Sequence, residues 1–327
     1  MNVVRFAVLG NPVVDALARV SPSELQGAGL IAGDTNQLPM AAMMELGGKV
    51  EVELFQSGGA GANLAYTLGK LGNPTCFLGP LGVDPAGRHF FKEMVAAGLT
   101  VITPQEGYRT TELFVLVTPD GARTMAQPQP RPPSTDDAWV DETILQSANW
   151  LVVEGYVACD YPTAVATAMD IAAAKGMKTC LLLPAPHVAA NAAPVLWHVL
   201  EGKVDLVIGN VNEFEALTQS ATLHQRSMLE SIPRVITHSG EAATFDDGKG
   251  HQVAEPTRRI ATPRDNTGAG DAFAAGFLAV YGDGGDPAVA LRRGHLLGGA
   301  VIQNLGPRLP DPMAVWLTAD TVTNSGI

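Results

Sequence analysis

The sequence predicts an α/β fold: a three-layered core around a mainly parallel sheet, with a small β-sheet inserted as a lid. Two observations predict it. From Asn149 onward, short apolar runs alternate with helical segments, the pattern of strands buried on both faces and joined by crossover helices. The first third carries strands that alternate polar and apolar residues, as strands with one wet face do.

Each element has its own signal. The first strand begins at Phe6, and a helix is expected over 61–71. Trp150–Val153, Thr179–Leu183, Val204–Ile208 and Arg234–Thr237 read as buried strands. Between them fall helices at Thr163–Lys175, which Gly176 stops, Pro194–Glu201 and Glu213–Thr218. Two longer helices follow at Asp271–Tyr281 and Asp286–Asn304. In the first third, Lys49–Leu54 alternates strictly, and Glu112–Thr118 runs through Pro119-Asp120-Gly121 into Arg123–Met125. These read as antiparallel lid strands, with lid segments at about 15–56 and 106–130 inserted in one domain spanning 1–327. The Pro-rich stretch 127–133 reads as a stiff connection back to the core.

Of the 327 residues, 46% are hydrophobic and 17% charged, which excludes a disordered or fibrous chain. The net charge of −12 argues against nucleic acid and anionic membrane as partners, because phosphate contacts need clustered Lys and Arg. Cys76, Cys159 and Cys180 form no CxxC pair, so neither a zinc site nor a disulfide framework is indicated. The N-terminal apolar stretch is too short for a signal peptide, and no stretch has the length of a membrane span, so a cytoplasmic protein is expected.

Four motifs sit at strand-to-helix junctions. In Asp265-Asn-Thr-Gly-Ala-Gly-Asp271, a Gly-Ala-Gly turn opening a helix directs unpaired amides at one point, a site for an anion such as a γ-phosphate. Asp271 at its mouth is placed to take a proton from an attacking hydroxyl. Beside a helix N-terminus it is expected to be a weak base, with positioning carrying much of the rate. A bare GxGD more often marks close helix packing; the full seven-residue string shifts the balance to function. Ser57-Gly-Gly-Ala-Gly-Ala-Asn63 is a second Gly-rich turn, in which Asn63 offers both donor and acceptor. Neither loop completes GxGxxG or a Walker A motif, which disfavours a dinucleotide oxidoreductase. Gly10-Asn-Pro-Val-Val-Asp15 ends the first strand, where open α/β sheets bind ligands. Asp15 there has the chemistry to accept two vicinal hydroxyls, although taken alone it is more often a turn residue. Asn210 and Glu213 share one helical face and suit either Mg²⁺ held through water or a capping box.

Together these motifs resemble the PfkB (ribokinase-like) kinase family. The stretch 58–82 fits its N-terminal signature and 265–271 its C-terminal one, D-T-x-G-A-G-D; Asn266 stands where Thr, Ser, Pro or Val is usual. GNPVVD at 10–15, LVTPDGARTM at 116–125, VEGY at 153–156, Pro184-Ala-Pro186, DLVIGNVNE at 205–213 and RGHLLGGA at 293–300 are similar to the adenosine-kinase branch. The resemblance covers about Phe6 to Pro310. It implies a ribokinase-like three-layer α/β/α fold and phosphoryl transfer from ATP to a primary hydroxyl of a nucleoside, adenosine or another purine ribonucleoside first. A sugar or sugar-acid kinase (ribose, fructose or keto-deoxygluconate type) and a catalytically inactive nucleoside-binding sensor are the alternatives. By resemblance the catalytic set is Asp271 with Gly268, Ala269 and Gly270, and the acceptor contacts are Asn11, Asp15, Gly59, Asn63 and Arg123. ATP would meet Asn210, Thr237, Gly240, Thr267, Gly268, Gly270 and His295, the last being equally well placed as a satisfied core histidine. Mg²⁺ would be held by Glu213 and Asn210 through water; a monovalent cation is an open third cofactor. Two departures concern specificity: Ala126-Gln127 follow Met125 where an Asn is usual, and Thr237-His-Ser-Gly240 stands where T-x-G is usual. A monomer, or a homodimer through the lid, is expected. An apolar slot for the base is expected from Val50, Val52, Leu54, Leu113 and Val115, with one face of each strand contributing.

Overall fold

The computed structural model describes residues 5–102, 104–120, 122–129, 133–145, 147–202, 204–257, 263–304 and 306–309. Gly121 of the turn signal, residues 130–132 of the Pro-rich connection and Pro310 lie outside them. The described strands are β1 (Phe6–Leu9), β2 (Val13–Arg19), β3 (Thr35–Leu38), β4 (Val52–Gly58), β5 (Thr75–Leu78), β6 (Thr100–Val101) and β7 (Thr111–Val117). They continue with β8 (Arg123–Pro128), β9 (Trp150–Glu154), β10 (Lys178–Leu182), β11 (Leu206–Asn210), β12 (Arg234–Thr237), β13 (Ala243–Asp246) and β14 (Gln252–Glu255).

Nine strands form the main sheet in the order β14-β13-β12-β11-β10-β9-β1-β5-β6. It is parallel from β12 to β6 and ends in the antiparallel ribbon β12-β13-β14. Alternate residues of each strand feed two separate cores. Phe6, Val8, Phe77, Val152 and Ile208 pack under helices Ala60–Lys70, Pro85–Ala96, Ala269–Tyr281 and Pro287–Val301. Ala7, Leu9, Leu78, Val153 and Val207 pack under helices Pro162–Lys175, Ala193–Glu201 and Val211–Thr218. Burial on both faces is why these strands read as unbroken apolar runs. The helix expected to stop at Gly176 does so with that residue left-handed, at φ 65°.

The smaller sheet has the order β3-β8-β7-β2-β4. It is mixed rather than antiparallel: β2–β4 and β7–β8 are antiparallel, but β2–β7 and β3–β8 are parallel. One face packs Ala16, Ala18, Phe114, Leu116 and Ala126 against Leu25, Met43 and Leu46. The last two belong to helix Met40–Lys49, which the sequence reading missed by starting a strand at Lys49. The strict alternation expected over 49–54 is broken as well. Leu17 opposes Leu54 while Ala18 opposes Val52, so Glu53 is an extra residue in a bulge. Val50 and Val52 therefore pack behind the sheet, and only Leu54 of those three lies on the open face with Leu17, Leu113 and Val115.

Candidate active site

The chain leaves β1 toward β5 on one side and later fills the other side from β9, so the strand order reverses between β1 and β9. Open α/β sheets bind ligands beyond the carboxyl ends of strands at such a point. Here the two strand ends are joined by a buried carboxylate. Glu154, the last residue of β9, accepts the Asn11 amide at 2.7 Å and a backbone hydrogen bond from Gly61. A β-carbon on Gly10 would lie 2.7 Å from Glu154 Oε2, so glycine is what lets the backbone approach it. The Asn11 side chain donates from Nδ2 to Asp160 at 2.6 Å. Gly59, at φ 96°, would bring a β-carbon 2.5 Å from the Asn11 carbonyl; this glycine seats the second Gly-rich turn against the first.

Asp271 stands in the first turn of helix Ala269–Tyr281, whose N-cap Gly268 has φ 75°. A β-carbon there would meet the Pro307 carbonyl at 2.4 Å, so both conformation and space demand glycine. Thr267 and Gly270 are exposed, which leaves the turn open to a ligand. Asn63, buried on helix Ala60–Lys70, donates from Nδ2 to Asp271 Oδ2 at 2.9 Å. Its Oδ1 is buried with no partner among the described residues. Burial pushes the Asp271 carboxyl up to about 6, against the Asn63 donor, which favours the anion. The helix dipole leads one to expect a weak base here; burial acts the other way and raises the carboxyl.

Other acids share this neighbourhood. Burial pushes Glu154 up to about 8, opposed by the Asn11 and Gly61 amides and reinforced by the charge of Asp271. Burial likewise takes Glu213 to about 7, opposed by Asn210 and reinforced by Asp271. Asn210 and Glu213 form a full capping box: Asn210 N and Nδ2 donate to Glu213 at 2.8 and 2.7 Å, and Glu213 N donates to Asn210 Oδ1 at 3.0 Å. The structure thus bears out the capping reading. Among the described residues no group of three or more His, Cys, Asp or Glu could hold a metal ion.

Asp265 accepts the Thr267 amide and hydroxyl at 3.0 and 2.7 Å and the Gly306 amide at 2.9 Å. Burial pushes its carboxyl up, but these donors and the Arg123 charge prevail and hold it below the ordinary range. Arg123 itself is exposed on β8. Burial raises Asp15 on β2 to about 6, with the Arg308 guanidinium opposing. Gly240 has φ 89°, and Ser239 is left-handed too, at φ 32°, where the usual T-x-G pattern would put its glycine. His295 is held to the Glu255 carbonyl at 2.9 Å and packs edge-on to Phe273 at 5.2 Å. That is the satisfied histidine of the second alternative.

Sequence reading singled out VEGY but passed over Glu154 itself. Its signal was a carboxylate closing a wholly apolar strand. VEGY and Pro184–Pro186 are one packed unit: a β-carbon on Gly155 would lie 2.4 Å from the Pro184 ring, and the Ala185 amide donates to the Tyr156 hydroxyl at 3.0 Å. Arg308 and Glu93 carried no sequence signal.

A family model described as the pfkB family carbohydrate kinase matches residues 44–314, and the chain belongs to that family. Its members are phosphotransferases that use ATP to phosphorylate a hydroxyl group of a sugar or nucleoside. Adenosine kinase of Saccharomyces cerevisiae is 25% identical, covering 93% of this chain and 96% of that protein. A 5-dehydro-2-deoxygluconokinase of Photobacterium profundum is 24% identical, covering 70% and 74%. The crystal structure of adenosine kinase from Sinorhizobium meliloti superposes with a TM-score of 0.78 at 26% identity, covering 98% of this chain and 99% of that one. The ribokinase-like fold expected from the motifs is thereby borne out. No helix among the described residues is long and apolar enough to cross a membrane.

Proposed function

We propose that this chain is a nucleoside kinase, transferring the γ-phosphoryl group of ATP to the primary hydroxyl of a purine ribonucleoside, adenosine first. The observation that carries the acceptor is the open face of the smaller sheet. Leu17, Leu54, Leu113 and Val115 share it with Asp15. An apolar surface beside a hydroxyl-binding carboxylate suits a base joined to a ribose; a free sugar has no apolar half to place there. Near-complete coverage by two adenosine kinases supports the same reading.

In this reading Asp15 accepts two ribose hydroxyls, and Gly59 and Asn63 border the sugar. Asp271 takes the proton from the primary hydroxyl while the amides of Gly268, Ala269 and Gly270 hold the phosphoryl group. Asn63 fixes the orientation of the Asp271 carboxylate, and Arg123 approaches from the smaller sheet, which acts as a lid that excludes water. Thr237, Gly240 and Thr267 border ATP. The donor set fits Mg²⁺ only in the outer shell, because Glu213 and Asn210 already satisfy each other and retain only spare lone pairs for bound water. There the ion would neutralise phosphate charge.

The dehydrogluconokinase relative favours a second reading, a sugar-acid kinase with the same base and amides. An acceptor panel with Mg·ATP separates the two. Adenosine should exceed ribose, fructose and 5-dehydro-2-deoxygluconate in kcat/KM by about 10³ or more, because base contacts help close the lid. Equal turnover of any of these sugars refutes the nucleoside reading and leaves the kinase. The intact Asp271–Asn63 pair speaks against an inactive sensor, and a coupled ATPase assay with adenosine tests that too.

A further inference from the structure

We propose that Glu93 is a positioning residue for phosphoryl transfer: it ties the turn Ser57-Gly58-Gly59 to the C-terminal segment Gly306-Pro307-Arg308, and so holds Asn63 against the catalytic base. This rests on the reading of Asp271 as that base.

Glu93 lies on helix Pro85–Ala96, outside both signatures. An ionised carboxylate has room for about four donors, and the surroundings of Glu93 use that capacity. Its Oε2 accepts the Ser57 amide at 3.1 Å and the Ser57 hydroxyl at 2.5 Å, and meets His89 Nε2 at 3.1 Å. Its Oε1 accepts from the Arg308 guanidinium. Ser57 is fully buried, so water has no access to replace this acceptor. Ser57 directly precedes the glycine turn, and the Gly59 carbonyl accepts the Asn63 amide at 2.9 Å in the first turn of helix Ala60–Lys70. The Asn63 side chain then donates to Asp271 at 2.9 Å. A run of printed contacts thus leads from Glu93 to the base.

A second arm reaches the same carboxylate from the other side of Asp271. Arg308 is only 8% exposed; it lies over the Tyr66 ring, 4.0 Å from the centroid, and its Nη2 donates to Met94 Sδ at 3.7 Å. Those contacts fix the guanidinium that Glu93 grips. Pro307, its neighbour, is the residue on which Gly268 packs, and the Gly306 amide donates to Asp265 at 2.9 Å. Gly306, at φ 87°, also lies against strand β4: a β-carbon there would be 2.6 Å from Gln56 Nε2, one residue before Ser57. The contacts therefore close a ring that runs from Glu93 through Ser57 and Asn63 to Asp271 and back through Pro307 and Arg308. A closed ring restrains the separation of the two Gly-rich turns, and a misplacement of about 1 Å between reacting groups costs about a hundredfold in rate.

The test is a double-mutant cycle between Glu93→Gln and Asn63→Ala. It is read as kcat/KM at pH 6.5 with Mg·ATP and the acceptor turned over best in the panel, adenosine in the proposed reading. Glutamine keeps an oxygen for Arg308 and turns its NH₂ group toward the Ser57 donors, so it breaks the Ser57 arm. Glu93→Gln should lower kcat/KM about tenfold, with calorimetric ATP affinity changed less than about twofold. In the Asn63→Ala background the same substitution should cost less than about threefold, because the orientation it protects is already lost. The same tenfold loss in both backgrounds overturns the proposal, and so does a Glu93→Gln enzyme whose only change is a lower melting temperature. If Glu93→Gln does not fold, Ser57→Ala decides alone. It removes the 2.5 Å bond, keeps the 3.1 Å one, and should cost about threefold in kcat/KM in the wild-type background and nothing in Asn63→Ala. An equal loss in both backgrounds, or none in either, overturns the proposal. Asp271→Asn, measured alongside, tells the two failures apart: near-normal kcat there refutes the base reading, whereas an impaired Asp271→Asn beside an unaffected Glu93→Gln refutes the role of Glu93 alone.

Discussion

Replacing Glu154 by glutamine should abolish the pH dependence that this one residue imposes on the fold. Glu154 is 2% exposed and accepts backbone amides from Asn11 and Gly61, bonds that the glutamine oxygen can also accept. Burial pushes its carboxyl up to about 8 in the fold, from the ordinary 4.5. The folded state therefore holds a proton that the unfolded chain has released across that window. Stability from this group is fully present below about pH 4.5 and is lost as pH rises through 8. The slope is about 1.4 kcal/mol per pH unit, so between pH 5.5 and 8.5 the loss approaches about 3 kcal/mol. Glutamine carries no such proton, so urea unfolding of the two proteins at fixed ionic strength should diverge in the variant's favour as pH rises. Asp15, Asp271 and Glu213 titrate in the same direction in both proteins and largely cancel in the difference. Stability curves that stay parallel from pH 5.5 to 8.5 would refute a neutral Glu154.

Three further outcomes follow from the site. Asp271→Asn should lower kcat by roughly 10²–10⁴ while calorimetric ATP binding persists; a near-normal kcat would remove Asp271 as base. Asn63→Ala withdraws the donor that opposes burial at Asp271, so the acid limb of kcat/KM should move up from its position near pH 6, and kcat/KM at pH 6.5 should fall about tenfold. An unshifted limb would show that the 2.9 Å contact does not act on the base. Ser239→Gly relieves a left-handed serine at φ 32° and should raise stability by about 0.5–1 kcal/mol in urea unfolding, whereas a loss would mean that the serine side chain holds the turn.

The sequence by itself determined the layered core and the place of the Gly-rich turns. Both are written in local pattern: strands buried on both faces leave apolar runs such as Trp150–Val153, and a turn pressed against the Pro307 carbonyl admits only glycine at 268. It also marked Asp15, Asn63 and Asp271, because carboxylates and amides at strand and helix ends stand out from an apolar background. Only the tertiary structure decided what those groups do to one another. The Asn63 donor on Asp271 joins residues 208 positions apart, and the burial that raises the Asp271 carboxyl comes from two helices meeting, not from its own turn. The bulge at Glu53 reversed Leu54 because register depends on the neighbouring strand β2. Arg308 left no trace in the sequence because a buried charge is defined by its partners, and Glu93 and Tyr66 are brought to it by separate elements that only the folded chain assembles.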